Sequence, residues 1–378
     1  MRPSSFISSK LDFKGWVAVT AIAISFLVII LAVAISSGFR REIRDGVSRL
    51  MGDVQLTTPQ INYYTDASPV NLDSLNLETV SKIKGVKNIT PVVYRAGIVK
   101  NGEEIQGVLV KGIPSSDTTA LGVSIPTRLS SRLGLKAGDS MTTYFIGEKV
   151  KVRKFTVTDV YDGLIETDDN LLVYASLEDM QRLNNWDSTG VSAVEIGLED
   201  AYRSGDRERA KAAEIGLYSS MVATAAQDRY SNLFDWLNLL DFNVVAILLL
   251  MIVVAGFNMI SGLLIMLFRN ISTIGTLKAV GMTNRGVAEV FLRVAARIVL
   301  KGMLIGNALA LGFCLLQGST HLLKLNPENY YVSFVPVSIN LPYIIVADVL
   351  AFVVIMLLLL IPCLFIAKVD PAETVRVK

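Results

Sequence analysis

FNVVAILLLMIVVAGFNMISGLLIMLF, from Phe242 to Phe268, contains no charged side chain. As a helix it is about 40 Å long at 1.5 Å per residue, more than the roughly 30 Å hydrocarbon core of a bilayer. It is therefore read as a span that tilts or protrudes. The signature recurs on both sides of it. Trp16 to Ile35, WVAVTAIAISFLVIILAVAI, is also charge-free. That run is too long for the apolar region of a signal peptide, and SSGFRREIRDGVSRL after it has no small-residue cleavage pattern, so it reads as a retained anchor. Phe39 to Leu50 continues it as an amphipathic stalk. Gly302 to Gln317 is apolar and follows Glu289, Arg293, Arg297 and Lys301, which recur every four residues. This spacing puts the four on one helical face and lets a span begin near Ile298, with Lys301 snorkelling to the headgroups. Ile339 to Ala367 is apolar apart from Asp348.

Across 378 residues the chain is 52% hydrophobic and 19% charged, with a mean hydropathy of +0.48. The apolar excess sits in those runs, while Arg40 to Arg229 has the composition of a water-soluble domain. Within it, IQGVLVKGI (Ile105 to Ile113) and KVRKFTVTDVY (Lys151 to Tyr161) alternate as strands, and Leu133 to Asp139 reads as a turn. Leu72 to Val86 has its apolar residues on one helical face, and Ser176 to Trp186 opens with serine, a favoured N-cap. The expected fold is a membrane protein of four transmembrane α-helices in a 1+3 arrangement, with a large α+β periplasmic domain between helices 1 and 2. Its segments are a cytoplasmic N-terminus (1–15), a first span (16–39) with a stalk to about 50, and the periplasmic domain (51–230). A second span (236–268), a cytoplasmic loop (269–290), a third span (291–317), a periplasmic loop (318–338), a fourth span (339–367) and a cytoplasmic tail (368–378) follow.

Orientation follows from basic residues in the short segments. Arg2, Lys10 and Lys14 precede the first span, Arg269, Lys278 and Arg285 lie between the second and third, and Lys368, Arg376 and Lys378 close the chain, whereas Gly318 to Asn340 holds only Lys324. The first three groups are placed in the cytoplasm. The net charge of +2, from 36 basic and 34 acidic residues, offers no field to attract nucleic acid. Both cysteines, Cys314 and Cys363, fall in apolar runs, which leaves the soluble domain no disulfide, and one histidine, His321, with no HExxH or CxxC pair makes no zinc site. His321, Tyr330 and Tyr331 read as interfacial residues. Asp348 stands about 12 Å into its span, eight residues past Asn340, where a polar neighbour and a functional role are equally good readings.

RNISTIGTLKAVGMTNRGVAEVF, from Arg269 to Phe291, reads as a short amphipathic helix at the membrane surface, with Ile271, Ile274, Leu277 and Val280 on one side, suited to a partner's groove. By composition alone it could equally be a plain hairpin between two spans. The segment resembles the coupling helix of the FtsX-like permease superfamily, with Ile274 and Gly275 as the I-G and Lys278, Ala279 and Gly281 as the K-A-x-G of its pattern. Three further segments are similar to its lipoprotein-releasing (LolC/LolE) branch: SSGFRREI (Ser36 to Ile43), ENYYVSFVPVSIN (Glu328 to Asn340) and the ending VDPAETVRVK (Val369 to Lys378).

That resemblance implies a permease subunit of an ABC transporter, not an enzyme, whose separate LolD-like ATPase binds Arg269, Ile271, Ile274, Gly275, Leu277, Lys278, Ala279 and Gly281. No GxxxxGK[ST] occurs in the chain, so no cofactor is expected on it, and ATP and Mg belong to the partner. It further implies a second permease copy or paralogue, a lipoprotein substrate drawn from the membrane lipid, and a periplasmic chaperone as candidate acceptor. One C16 acyl chain is held in a bilayer by roughly 10 kcal/mol, so extraction needs an apolar receiving cavity. Phe26, Ile30, Ile35, Phe39, Phe234, Leu237, Leu240 and Val244 are its expected lining, although any one of them taken singly is better explained by helix packing or lipid contact. The alternatives are an FtsX-like transducer that activates a cell-wall hydrolase and a MacB-like efflux or mechanotransmission permease.

Overall fold

The computed structural model describes residues 16–58, 69–114, 121–147, 149–163, 171–219 and 221–367. The basic residues expected at the two termini and the ending Val369 to Lys378 lie outside the described residues. In chain order, α1 (Trp16–Met51) leads into β1 (Val54–Thr57), β2 (Val70–Asn71), α2 (Leu77–Ser81), β3 (Val86–Asn101), β4 (Glu104–Ile113) and β5 (Gly122–Pro126). Then follow α3 (Thr127–Leu133), β6 (Ser140–Phe145), β7 (Lys151–Tyr161), β8 (Leu172–Ser176), α4 (Leu177–Asn184), β9 (Gly190–Val191), β10 (Ala193–Leu198), α5 (Asp206–Ser219), β11 (Val222–Ala225) and α6 (Ala226–Arg229). The remainder is helical: α7 (Ser231–Arg269), α8 (Ile271–Ala279), α9 (Asn284–Thr320), α10 (Pro327–Tyr330), α11 (Leu341–Leu358) and α12 (Leu360–Ala367). Four of these stretches are long and apolar enough to cross a membrane: Trp16–Met51, Ser231–Arg269, Asn284–Thr320 and Leu341–Cys363. The chain forms two units, one of Arg41–Trp236 with Lys324–Phe334, the other of the remaining described residues.

The sheet-rich unit is organised by β3, whose length lets it serve two sheets. Its first half pairs antiparallel with β10, in a sheet ordered β11-β1-β10-β3. Its second half pairs antiparallel with β4, from Val93↔Gly112 to Asn101↔Glu104, and also meets β6 at Ile98↔Tyr144. Because β4 pairs with β8, β8 with β5, β5 with β7 and β7 with β6, the ring closes into a six-stranded barrel without open edges. Val99, Val110, Ile125, Met141, Phe145, Phe155 and Val173 fill its core, with Phe145 and Phe155 edge to face at 6.3 Å. Gly97 must lack a side chain, since a Cβ there would lie 2.8 Å from Thr143 Cγ2.

The helix expected over Leu72 to Val86 is not one helix. Asn71 Oδ1 accepts the Asp73 N–H at 2.9 Å and closes a single 3₁₀ turn, extended Leu75 interrupts the run, and only α2 is helical before Gly85, at φ +95°, turns the chain into β3. Ser176 does sit at the N-cap of α4, without a capping hydrogen bond from its side chain.

In the helical unit, α9 presents Gly302 and Gly306 to α1. A Cβ at Gly302 would come within 2.7 Å of Ile22 Cβ, and one at Gly306 within 2.4 Å of the Ala23 carbonyl, so the small residues allow the backbones to approach closely. The last span is interrupted at Leu359, between α11 and α12. Pro362 explains the break, because it cannot donate to the carbonyl four residues back and its ring crowds that carbonyl.

Candidate functional site

Asn270 ends α7 by donating Nδ2 to the Met266 carbonyl at 2.8 Å, and α8 begins immediately after it. The far end of α8 closes on Gly281, which donates its N–H to Lys278 O at 2.9 Å from a left-handed φ of +95° that glycine adopts without strain. Thr283 then accepts the Gly286 N–H and starts α9. Of the predicted coupling residues, Ile274 and Gly275 are buried, Leu277 and Lys278 are half-buried, and Arg269, Ile271, Ala279 and Gly281 are exposed. Ile271, Ile274, Leu277 and Val280 do not share one side. Residues three apart drift by about 60° per step on a helix, so Ile274 and Leu277 turn inward while Ile271 and Val280 turn out. Val280, just past the end of α8, is 84% exposed.

Two of the motifs picked out in the sequence meet in space. Gly38 on α1 packs so closely on the segment before α11 that a Cβ would lie 2.3 Å from the Pro336 carbonyl, and the Ser338 N–H bonds Ala34 O at 3.0 Å. Gln317 on α9 fastens the same segment, donating to Leu323 O at 3.2 Å and Val335 O at 3.1 Å. Alongside, Asp241 on α7 accepts from Ser36 at 2.6 Å and pairs with Arg40. Phe39 and Leu237 are buried here, and Ile35, Leu240 and Val244 are half-buried. Phe26 and Ile30 are fully buried in the core of the helical unit, and Phe234 belongs to the sheet-rich unit.

The most built-up polar site was not anticipated. Within the sheet-rich unit, Lys111 on β4 directs Nζ at the last turn of α1, donating to Arg49 O and Leu50 O at 3.0 Å each and to Glu195 on β10 at 2.8 Å. Its three protons are thereby used, and a cation stands on two orphan carbonyls at a helix C-terminus, where the dipole favours it. Tyr94 donates its hydroxyl to Glu195. Burial pushes Lys111 down and Glu195 up from their ordinary values, each opposed by its partner's charge. Tyr174 beside them is pushed up to about 12, by burial first and then by Glu195. A second clamp lies nearby, where Arg203 joins Asp45 of α1 at 2.9 Å to Asp53 at 2.9 Å, and Asp53 accepts the Leu198 N–H at 2.7 Å. A lysine within VLVKGI and a glutamate within AVEIGL, opposite charges inside apolar strands, were the available signal.

Residues 16–213 match the MacB-like periplasmic core domain family, and residues 245–371 the FtsX-like permease C-terminal family. The chain is 26% identical over 407 residues to the lipoprotein-releasing system transmembrane protein LolC of Xylella fastidiosa, covering 99% of this chain and 95% of that one. It is 21% identical over 396 residues to LolE of Haemophilus influenzae, covering 93% and 91%. The periplasmic region of MacB from Actinobacillus actinomycetemcomitans aligns with 49% of this chain and 94% of its own, at 12% identity and a TM-score of 0.31. With its sheet-rich segment and its last three apolar helices matched in order, the chain belongs to the FtsX-like, MacB-type family of ABC transporter permeases.

Proposed function

We propose that this permease works with a separate ATPase to extract lipoproteins from the inner membrane for delivery toward the outer membrane. The observation that carries the reading is similarity to lipoprotein-releasing permeases along nearly the whole chain, spanning both the sheet-rich domain and the apolar helices. The absence of a GxxxxGK[ST] sequence supports placing ATP and Mg on a LolD-like partner. That partner grips the segment from Arg269 to Gly281, whose exposed outer side carries Arg269, Ile271, Ala279 and Val280. The inward Ile274 and Leu277 pass its movement to α7 and α9, which flank α8.

Cargo enters between α1 and α7 of two copies, or of this chain and a paralogue, along Ile35, Phe39, Leu237, Leu240 and Val244. Phe26 and Ile30 act there as packing residues, being buried within one chain. In this reading the 1+3 arrangement holds, the sheet-rich domain lies in the periplasm, and a chaperone receives the cargo there. The match of 16–213 to the MacB-like core favours a second reading, mechanotransmission to a periplasmic partner without lipid cargo. Purifying the tagged chain in mild detergent and identifying what stays bound tests the two. Triacylated protein with an ATPase is expected, and a periplasmic partner with no acylated protein overturns the first reading.

A further inference from the structure

Asp348 on α11 and Asn307 on α9 face each other within the apolar spans. Asn307 Nδ2 donates to Asp348 Oδ2 at 2.6 Å. The remaining side-chain atoms, Asn307 Oδ1 and Asp348 Oδ1, are both buried, and among the described residues neither receives a hydrogen bond. Two acceptors without donors, on the two residues already joined by one bond, form a single anomaly. An ionised Asp348 cannot resolve it, since a carboxylate only accepts and two orphan oxygens would remain beside an uncompensated charge. Among the described residues no cation pairs with either group. Trp16 to Phe39 on α1 and Phe242 to Phe268 on α7 carry no charge. On α9 the charged groups are Arg285, Glu289, Arg293, Arg297 and Lys301, of which Lys301, nearest in sequence, is exposed and Arg293 pairs with Glu289, and the remaining titratable groups of α9, α11 and α12 are Cys314, Tyr343 and Cys363.

We infer that the pair is a proton-binding site: Asp348 carries one proton on Oδ1 and donates it to Asn307 Oδ1, while Asn307 Nδ2 donates back to Asp348 Oδ2. A carboxylic acid and a primary amide are planar groups with matching donor and acceptor edges, so one proton taken from water pairs both orphan oxygens and leaves no net charge in the membrane. The ring of two hydrogen bonds fastens α9, the helix that follows the coupling segment, to α11. Parting these helices strands the acid and the amide together, so the fastening depends on the proton. The inference stands whether or not lipoproteins are the cargo.

The test is infrared difference spectroscopy of the full chain in detergent at neutral pH, wild type against Asp348→Asn. A carbonyl band of a protonated carboxyl, shifted by deuterium and absent from the variant, is expected; loss of carboxylate bands alone overturns the proposal. Melting temperature gives a second readout. Asn307→Leu lowers it by on the order of 5 °C, Asp348→Asn, which forms an amide–amide ring, leaves it near wild type, and the exchange Asn307→Asp with Asp348→Asn recovers it. An exchange variant as unstable as Asn307→Leu contradicts the ring.

Discussion

Lys111 and Glu195 are 3% and 8% exposed at their side chains, and each is the other's charge partner. Removing one leaves a buried charge unpaired, so Lys111→Met and Glu195→Leu are each expected to cost about 3–5 kcal/mol, while the double variant costs little or stabilises. Thermal melts of the three variants check this. A double variant as unstable as the sum of the singles contradicts the pairing. Glu208 offers a pH test. Burial, above all, raises its carboxyl from the ordinary 4.5, against the Gln227 N–H that it accepts at 3.2 Å. A raised folded-state value means its contribution is whole below pH 4.5 and is lost as pH rises through the folded value. Glu208→Gln, which keeps the acceptor, should therefore raise the melting temperature at pH 7 and leave it unchanged at pH 4. Neither site was legible in the sequence. The alternation in IQGVLVKGI assigns Lys111 to a solvated face, whereas its amine is covered by the end of α1, more than sixty positions earlier at Arg49.

At the scale of elements, the sequence read best where one physical requirement acts along a continuous run. Hydrocarbon thickness marks the apolar helices, and α1 extends past its apolar run to Met51. It read worst where partners distant in sequence decide: no local pattern shows that β3 divides between two sheets or that six strands close into a barrel. From Arg269 to Gly281 the sequence read as a short helix, as α8 is, but its inward face was misassigned by the drift of a three-residue repeat. Two variants test these elements. Gly38→Val drives a side chain into backbone atoms of Pro336 and Val337, which cannot yield as a flexible side chain does, and should cost about 1–3 kcal/mol in a thermal melt. Val280→Asp, at an exposed position, should leave that melt within about 0.5 kcal/mol of wild type. On the proposed function, it should reduce ATPase co-purification at least roughly tenfold, a loss of about 1.4 kcal/mol in binding.

On the scale of the whole molecule, a soluble-type domain is inserted in the chain between the first and second apolar helices, and both the domain and the last three helices match their families separately. Within the sheet-rich unit the end of α1 is held twice, at its last turn by Lys111 with Glu195 and around it by Arg203 between Asp45 and Asp53. On the proposed function, an ATPase acting on Arg269 to Gly281 drives release of an acylated cargo. Vesicles holding the permease, its ATPase and a triacylated lipoprotein should release that lipoprotein to a soluble acceptor only when ATP is hydrolysed, and Val280→Asp should abolish the release. Release without ATP, or undiminished release by Val280→Asp, would contradict it.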